Sequence, residues 1–585
     1  MKIGGILVNS EEIVENPVKG EQTNEPTGSL DATANKKAAS NNNRGSRSKN
    51  RPAPKTKPAP ANEQPSEVPA PIDITGYVSN PAGNIYAIQN LPEEFIATLF
   101  AWVSRSPKSF KTHLADVIND FNLSIGERSD GDESLSQKAA KFHEKWTVGY
   151  GHSSVAEHAK AAVGIESVSR LVSAELELAN QFLSITEYSQ RYQKPVRGQW
   201  FNPYPADSDD AKVYEERMGL LFDAFESLIE LVYTELKREY VESEEYQELI
   251  LAKVPLDPEK ESDATKLKEL DKQIQRKLAA FEKLAFEDAR YVLPLSMYTQ
   301  LGVSANARSW ADVIRKMDAS TLPESQQAAS QLREEITKVL PTLLRHSTAS
   351  KYQKVSADVR DSIFSEYAKT PIKSHIGASP YRLPSMNEEL IINEILSMEL
   401  MSYTGMTREQ ARDIIKGWTP THKQETILAL LSGMTAHDTP PESFKHVNVE
   451  ISVEVSEANW HQLLRHNRMT DFSYGLATPE IGTKIPPRII QAGDKALEIF
   501  HNAVYQSATL YAKIKEDLGV QQAQYAVLNA HYRSVTMTFS IWEAYHLINL
   551  RTSEEAQWDI RETFEHIAER LMTHYPTLLK EAKRR

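Results

Sequence analysis

The sequence predicts an α+β fold built from two tandem, diverged copies of one domain that follow a low-complexity N-terminal tail. Three observations lead to this prediction. Helical and strand patterns are mixed along most of the chain, the segment from about residue 21 to 71 is nearly free of aromatic and branched apolar side chains, and one ordered set of short motifs occurs twice. Amphipathic helices beside short alternating strands are typical of α+β domains.

Length and composition narrow the class of protein. A chain of 585 residues, 40% hydrophobic and 25% charged, is long enough for two or more cores. It contains no apolar run of about 18 residues and no secretory leader, so we expect a soluble, cytoplasmic protein without membrane contact. The net charge of −13 argues against binding to nucleic acid, and the lack of cysteine excludes thiolate chemistry and cysteine-ligated zinc.

The chain begins with a predicted tail and continues with predicted helices and strands. Residues 1–72, which include NKKAASNNNRGSRSKNRPAPKTKPAP, hold too few apolar side chains to offset the entropy of folding and are predicted to be a disordered tail. The charged segment of about residues 243–285 has helical spacing and is predicted to be a surface insertion. EELIINEILSMELM predicts a helix, and the alternation in HVNVEISVEV predicts a strand.

The duplication is visible in three pairs of segments. GHSSVAEHA, EYSQRY and ARYVLPLSMYTQLGVSANARS occur early, and AHDTPPESFKH, WHQLLRHNR and AQYAVLNAHYRSVTMTFSIWEAYHLINLR occur late in the same order. The first two pairs are offset by about 285 residues and the third by about 234, as an insertion in the first copy alone would produce. The first domain is therefore expected over residues 73–372 and the second over residues 373–585.

These motifs, in this order, resemble the flavin-dependent thymidylate synthases. The resemblance lies in Gly-His-x-Ser-x-x-Glu-His, in Gln-Leu-x-Arg-His running into Ser-x-Arg-Tyr, in Ala-Arg-x-Val-Leu-Pro with Asn-Ala-Arg-Ser, and in a closing Leu-Arg. It covers roughly residues 84–345 and 375–585. It implies an α+β fold and the methylation of dUMP to dTMP, with FAD as cofactor, methylenetetrahydrofolate as carbon donor and NADPH as reductant. The family assembles as a homotetramer, so a duplicated chain is expected to form a homodimer, or pseudo-tetramer.

The resemblance carries site residues onto both copies. To the cofactor it assigns Ser104, Ser154, Glu157, Asn306, Arg308, Arg465 and His466. To the substrate it assigns Glu187, Ser189, Arg191, Arg290, Gln462 and Arg551. Arg551 and Arg465 are the expected catalytic residues, with Arg551 at a uracil carbonyl. No metal ligand is expected.

The two copies depart from the family pattern in complementary ways. Counted back from Arg191, the first copy has Ala179, Asn180 and Gln181 at the Arg-His-Arg positions, Leu176 at the preceding glutamine and Met317 at the closing arginine. The second copy has Asn467 at the second signature arginine. At the positions of Arg290, Asn306 and Arg308 it has, respectively, Gln524, Ser540 and Trp542. We therefore expect composite sites to which both copies contribute.

Other interpretations stay open at this point. The run WHQLLRHNRM has the form of a solvated helix face, and Arg191 and Arg290 could form structural ion pairs. The altered positions Asn467, Ala179 and Met317 leave room for a flavin enzyme that acts on another pyrimidine nucleotide. They also leave room for a catalytically silent protein that binds FAD or a nucleotide.

Overall fold

A computed structural model describes residues 73–103, 107–121, 153–191, 193–344, 347–364, 367, 370, 372, 387–435 and 438–582. The chain separates into residues 1–69 and residues 70–585, and every described residue belongs to the second unit. The predicted tail and Ser104 lie outside the described residues. So does most of the expected junction after residue 372.

The described part of the first half (residues before 373) contains one three-stranded sheet and nine helices. Its strands are β1 (Lys160–Ser169), β2 (Ser184–Glu187) and β3 (Tyr298–Asn306). Its helices are α1 (Glu93–Val103), α2 (Phe110–Phe121), α3 (Arg170–Ala179), α4 (Asp209–Glu242), α5 (Glu244–Lys253), α6 (Glu261–Ala289), α7 (Ala307–Asp318), α8 (Pro323–Val339) and α9 (Lys351–Phe364). Helices α5 and α6 contain the charged segment that the sequence marks as an insertion.

The described part of the second half (residues from 387) repeats this sheet. Its strands are β4 (Asn448–Ser456), β5 (Thr470–Tyr474) and β6 (Tyr532–Ser540). Its helices are α10 (Glu388–Thr404), α11 (Arg408–Lys416), α12 (Pro420–Leu430), α13 (Glu457–Leu463), α14 (Pro487–Gln491), α15 (Asp494–Leu518), α16 (Val520–Ala523), α17 (Ile541–Arg551) and α18 (Trp558–His574). None of the described helices combines the length and the apolarity that crossing a bilayer requires.

The two sheets share one topology. The strand order is β1-β3-β2 in the first and β4-β6-β5 in the second, and all pairs are antiparallel. In both halves a serine at the end of the first strand caps the next helix, because Ser169 Oγ accepts from Val172 N and Ser456 Oγ accepts from Asn459 N. The expected α+β fold with a tandem duplication is confirmed.

The halves are joined along equivalent segments. Leu295 N donates to Val527 O at 2.8 Å, and Asn529 N donates to Leu293 O at 2.9 Å. Around this seam, helices α4 and α15 bury their apolar faces in one shared core, in which Phe225 and Phe500 are fully buried. Since burial of apolar surface is the main favourable term in folding, the halves form one folded body and not two independent domains.

Candidate functional site

The signature turn of the second half lies against strand β2 of the first. Helix α13 ends at Leu463 and continues as a 3-10 turn over Leu464–His466. Leu463 and Leu464 are fully buried, which anchors the turn and leaves the next side chain, Arg465, at the boundary between the halves. Hydrophobic residues on one side of a short helix therefore determine where the charged run points.

Arg465 joins the two halves by an ion pair. Its Nη2 lies 2.7 Å from Oε2 of Glu187, whose Oε1 accepts from Ser173 Oγ at 2.9 Å. Arg465 Nε donates to His461 O at 3.2 Å. The Glu187 side chain is 3% exposed and that of Arg465 is 43% exposed, so the carboxylate is fixed while the guanidinium keeps access to the open side.

Arg191 and Arg290 meet at Glu287. Arg191 Nε pairs with Glu287 Oε1 at 2.6 Å, and its Nη2 donates to the backbone oxygen of Glu555 in the second half at 3.3 Å. Arg290 Nε donates to Glu287 O at 3.1 Å. Arg290 is buried, its Nη2 has no hydrogen-bond partner among the described residues, and burial lowers its pKa.

Arg551 is held by the signature turn itself. Its Nε donates to His466 Nε2 at 2.8 Å, and its Nη2 donates to Gln462 O at 2.9 Å. Burial, followed by Arg551, keeps the pKa of His466 well below its usual range, so the imidazole is neutral and accepts this bond. Burial, with repulsion from Arg465 and Arg191, lowers the pKa of Arg551 to about 10.

One arginine of this cluster was missed by the sequence analysis. Arg170, the first residue of α3, is buried, pairs through Nη1 with Gln190 Oε1 and leaves Nε without a partner among the described residues. Burial lowers its pKa to about 10, and it interacts electrostatically with Arg290 and Arg465. It belongs to none of the compared motifs, and the only available signal was a cation directly after the capping Ser169.

These five arginines define what we call the composite site. Arg170, Arg191 and Arg290 come from the first half, and Arg465 and Arg551 from the second. The neighbouring carboxyl groups are Glu177, Glu187, Glu287 and Asp288, and Asp288 also pairs with Arg488. Cations outnumber acids, and two buried guanidinium groups keep donors that no described residue uses, so the site is suited to an anion with several oxygen acceptors.

A cavity of about 260 Å³ adjoins the ion pair between Arg465 and Glu187. It is lined by Glu177, Asn180, Leu183, Ile185, Glu187, Arg465, Asn467 and Arg468. Asn467 Nδ2 donates to Glu177 O at 2.6 Å, and Arg468 Nη2 donates to Leu183 O at 2.8 Å. The residues that break the signature pattern thus bind backbone carbonyls of the first half. Burial and the nearby Glu187 raise the pKa of Glu177 to about 8.

Two other substrate positions have local partners. Ser189 Oγ accepts from Arg191 N at 3.3 Å. Gln462 Nε2 donates to Ala458 O at 3.0 Å and to Gln557 Oε1 at 3.3 Å. Ser189 therefore shapes the loop that carries Arg191, and Gln462 lies in the last turn of α13, just before the 3-10 turn that carries Arg465.

The positions assigned to the cofactor in the first half form a separate group. Arg308 Nη1 pairs with Glu157 Oε1, and the two side chains are about half exposed. Asn306 Oδ1 caps α7 by accepting from Ser309 N at 2.8 Å, and Ser154 is exposed. Asn306 lies five positions along β3 from Leu301, the partner of Glu187, which corresponds to roughly 17 Å of strand. No hydrogen bond or ion pair within the described chain links this group to Arg465 or His466.

The duplicated fold also has a counterpart position on the opposite side of the seam. Alignment of the capping serines Ser169 and Ser456 places Leu178 at the position of Arg465 and Glu175 at the position of Gln462. Both positions are one residue earlier than those obtained by counting back from Arg191. The helix caps Asn306 and Ser540 pair Arg551 with Met317. The other arginines of the composite site, Arg170, Arg191 and Arg290, correspond to Glu457, Thr478 and Gln524, respectively, and the neighbouring Glu187 corresponds to Tyr474.

This counterpart position contains a buried ion pair and two aromatic rings. Arg533 lies 5.6 Å from the ring centroids of both Trp460 and Tyr474, and its Nε pairs with Glu457 Oε1 at 2.8 Å. Both partners of that ion pair are buried. None of the five arginines of the composite site has an arginine at the corresponding place, and the guanidinium that is present is neutralised by a buried carboxylate.

Three potential metal ligands lie next to Arg551. One ligand atom each of His466, Glu543 and His546 falls within 4.8 Å of the others. Arg551 already donates to His466 Nε2, so a guanidinium cation occupies the position at which this imidazole nitrogen would bind a metal. We assign His466 to the support of Arg551.

Most of the chain is similar to known proteins. The family model described as thymidylate synthase complementing protein matches residues 93–342 and 385–577, more than half of the chain. A UPF0159 protein of Thermoplasma acidophilum is 25% identical over 464 residues, which are 76% of this chain and 89% of that protein. The flavin-dependent thymidylate synthase of Clostridium tetani is 25% identical over 221 residues, 37% of this chain and 74% of that enzyme.

A structural comparison also gave a match. The UMP/dUMP methylase PolB from Streptomyces cacaoi, solved with 5-Br dUMP, aligns with 34% of this chain and 93% of its own, at 14% identity and a TM-score of 0.27.

Proposed function

We propose, from the premise that the chain belongs to the flavin-dependent thymidylate synthase family, that it methylates dUMP to dTMP at the composite site. Methylenetetrahydrofolate would be the carbon donor, NADPH the reductant and FAD the cofactor. The protein would act in the cytoplasm as a homodimer of duplicated chains.

The single observation that carries this proposal is the group of buried, incompletely paired arginines shared by the two halves. Arg290 Nη2 and Arg170 Nε are buried donors without a partner among the described residues. Leaving a buried donor unpaired costs about 1–3 kcal/mol, so the folded chain gains when an acceptor binds there. The phosphate of a nucleotide supplies two negative charges and several acceptor oxygens, which matches the surplus of cations.

The roles of the remaining residues follow from their positions. Arg191 and Arg290, fixed by Glu287, would hold the phosphate, and Glu187, Ser189 and Gln462 would line the nucleoside. Arg551 would face charge that develops on a pyrimidine carbonyl. It is suited to this role because His466 and the carbonyl of Gln462 fix its orientation before the substrate binds.

The chemistry agrees with the composition. A chain without cysteine cannot activate a pyrimidine by adding a thiolate to the ring. When bound, the flavin would supply the electrons for the reduction. The protein has to position the reactants and stabilise charge, which preorganised guanidinium groups do in a partly buried site.

The residues at the other end of β3 fit a flavin nucleotide in their chemistry. Arg308 provides a half-exposed cation and Ser154 an exposed hydroxyl, which suit a pyrophosphate at the surface. Glu157 holds the Arg308 guanidinium in place through an ion pair. We therefore assign Ser154, Glu157, Asn306 and Arg308 to the cofactor.

An assay of the purified protein tests the proposal. We expect dTMP, measured by chromatography, only when FAD, dUMP, methylenetetrahydrofolate and NADPH are all supplied. Arg290→Met should raise KM for dUMP by roughly 10–100-fold, since it removes a charge-assisted contact. Arg276→Met, which changes an exposed arginine of the preceding helix, is the matched control and should leave KM unchanged.

Two other results would point elsewhere. Tight binding of dUMP and FAD without formation of dTMP would indicate a catalytically silent relative. Methylation of a different pyrimidine nucleotide in preference to dUMP would indicate that the altered cavity around Asn467 has changed the substrate.

A further inference from the structure

A second polar cleft lies in the second half, between helices α10 and α11 at the start of strand β4. Its volume is about 620 Å³, within the usual range for small-molecule sites. Its lining includes three cations of α11 and the side chains of Asn393 and Glu394 from α10. Three apolar residues, Leu390, Met398 and Val447, also line it.

Helix α11 holds its cations in a fixed place. Gly405, with φ of 72°, ends α10 in the left-handed region that favours glycine, and Thr407 and Gln410 form a reciprocal capping box at the start of α11. Ala411 and Ile415 are buried against the core. Three side chains spaced four residues apart, Arg408, Arg412 and Lys416, therefore share one flank of the helix and line the cleft.

The cleft is positive although the protein as a whole is acidic. Arg408 Nη2 and Arg412 Nη2 each lie 2.7 Å from the same oxygen, Glu394 Oε2. Glu394 is the only acid among the lining residues in the described part of the chain, and Lys416 makes no ion pair there. Three cations therefore face one carboxylate, in a chain whose net charge is −13.

An unused acceptor lies in the lining of the same cleft. Asn393 Oδ1 is buried and accepts no hydrogen bond from any described residue. A buried carbonyl oxygen without a donor is costly, and a ligand N–H or O–H group would satisfy it. The cleft thus offers cations, one acceptor and an apolar wall, which is the combination that a phosphorylated ring compound requires.

The cleft is a different place from the composite site. The 3-10 turn Glu442–His446 precedes β4 as the turn Ser153–Glu157 precedes β1, so the cleft corresponds to the Glu157 end of the first half. There Arg308 is replaced by Trp542, over which Lys445 Nζ lies at 4.4 Å. The positive charge of the cleft comes instead from α11.

We propose that this cleft binds a small phosphate ester of nucleotide size. Its phosphate would lie against Arg412 and Lys416, and a donor on its ring or sugar would reach Asn393. Either a free nucleoside diphosphate or the pyrophosphate of a second flavin nucleotide presents this chemistry.

The test uses full-length protein loaded with FAD and dUMP, so that the sites of the proposed reaction are occupied. ADP and adenosine are titrated by calorimetry into wild-type protein and into the Arg412→Met/Lys416→Met variant. We expect ADP to bind on the order of 100-fold more weakly to the variant, and adenosine to bind poorly to both, because charge-assisted contacts dominate. Arg238→Met removes an exposed, paired arginine of α4 and serves as control.

A second variant guards against loss of folding. Asn393→Asp keeps every cation but adds a negative charge to the lining, so it should also abolish ADP binding while dUMP binding stays normal. A loss of one bound FAD per chain in the Arg412→Met/Lys416→Met variant would identify the flavin as occupant. Absence of ADP and of additional FAD in the wild type, or equal binding to the variants, would overturn the proposal.

Discussion

The arginines of the composite site differ in how much of their hydrogen-bonding capacity the protein itself uses. Arg551 and Arg191 are anchored through two of their nitrogens, by His466 and Gln462 in one case and by Glu287 and Glu555 in the other. Arg290 keeps a buried donor that no described residue accepts from. A preorganised cation suits charge that appears during reaction, and an incompletely paired one suits a permanent anion of the substrate.

This contrast gives a prediction for Arg551. Arg551→Met should lower kcat by about 100–1,000-fold with little change in flavin binding, because it removes stabilisation needed mainly in the transition state. Steady-state kinetics with visible absorption of the bound flavin separate the two effects. Arg561→Met, at a partly exposed arginine of α18, provides the comparison. A large rise in KM at unchanged kcat would instead assign Arg551 to ground-state binding.

Glu543 gives a prediction for the pH dependence of stability. Burial raises its pKa to about 7, so its contribution to folding is complete below its ordinary value of 4.5 and is lost as the pH rises through 7. Relative to Glu543→Gln, the wild type should lose roughly 3 kcal/mol between pH 4 and pH 8. The nearby His466 and His546 are present in both proteins, so the difference between the two unfolding curves isolates the carboxyl. A pH-independent difference would contradict the prediction.

At the residue scale, the order of the motifs identified four of the five arginines of the composite site, but not the residues with which they pair. Arg191, Arg290, Arg465 and Arg551 could be assigned because each occupies a position in a recurring pattern. Arg170 could not, since its role depends on where the register of β1 and the cap at Ser169 place the start of α3. The ion pair of Arg465 with Glu187 joins residues far apart in sequence, which no local pattern encodes.

At the scale of elements, each half supplies one tyrosine to a buried acid of the other. Tyr291 Oη donates to Asp559 Oδ2 at 2.8 Å, and Tyr525 Oη donates to Glu324 Oε2 at 2.9 Å. Each acid also accepts from the serine that caps the helix after its own first strand, Ser456 and Ser169 respectively. The halves are therefore linked by two equivalent, reciprocal hydrogen-bond networks.

The link predicts a stability effect. Tyr291→Phe removes a donor from the buried Asp559 and should lower the free energy of unfolding by about 1–3 kcal/mol. Tyr240→Phe is the matched control, because the buried Tyr240 hydroxyl has no hydrogen-bond partner among the described residues. Chemical denaturation followed by circular dichroism measures both. Equal effects of the two substitutions would show that the link adds nothing to stability.

The elements themselves were largely accessible from sequence. The strand expected in HVNVEISVEV is β4, and the helix expected in EELIINEILSMELM is α10. Pattern alone could not show that α4 and α15 pack together along the seam, because their apolar stripes would suit many partners. Nor could it reveal that the altered residues Asn467 and Arg468 bind carbonyl oxygens of the first half.

At the scale of the molecule, the duplication has become asymmetric. One side of the seam carries five arginines, and the equivalent side carries Leu178, Met317, Thr478, Gln524 and Glu457 at the same places. In a protein of net charge −13, such local concentration of cations attracts an anion to one place. The sequence indicated complementary losses, but only the fold shows that Arg533 packs against Trp460 and Tyr474 at the counterpart position.

The asymmetry predicts the number of nucleotide sites. Calorimetric titration of FAD-loaded protein with dUMP should give a single binding event with a stoichiometry of about one per chain. Two independent sites would instead bind about two dUMP molecules per chain, because the contributions of distant sites add. Arg290→Met should weaken that event without uncovering a second one. Tyr474→Phe, at the counterpart position, should leave affinity and stoichiometry unchanged, because its ring is needed there for packing against Arg533 and not for a ligand. Two equivalent dUMP molecules per chain would show that the counterpart position opens in solution.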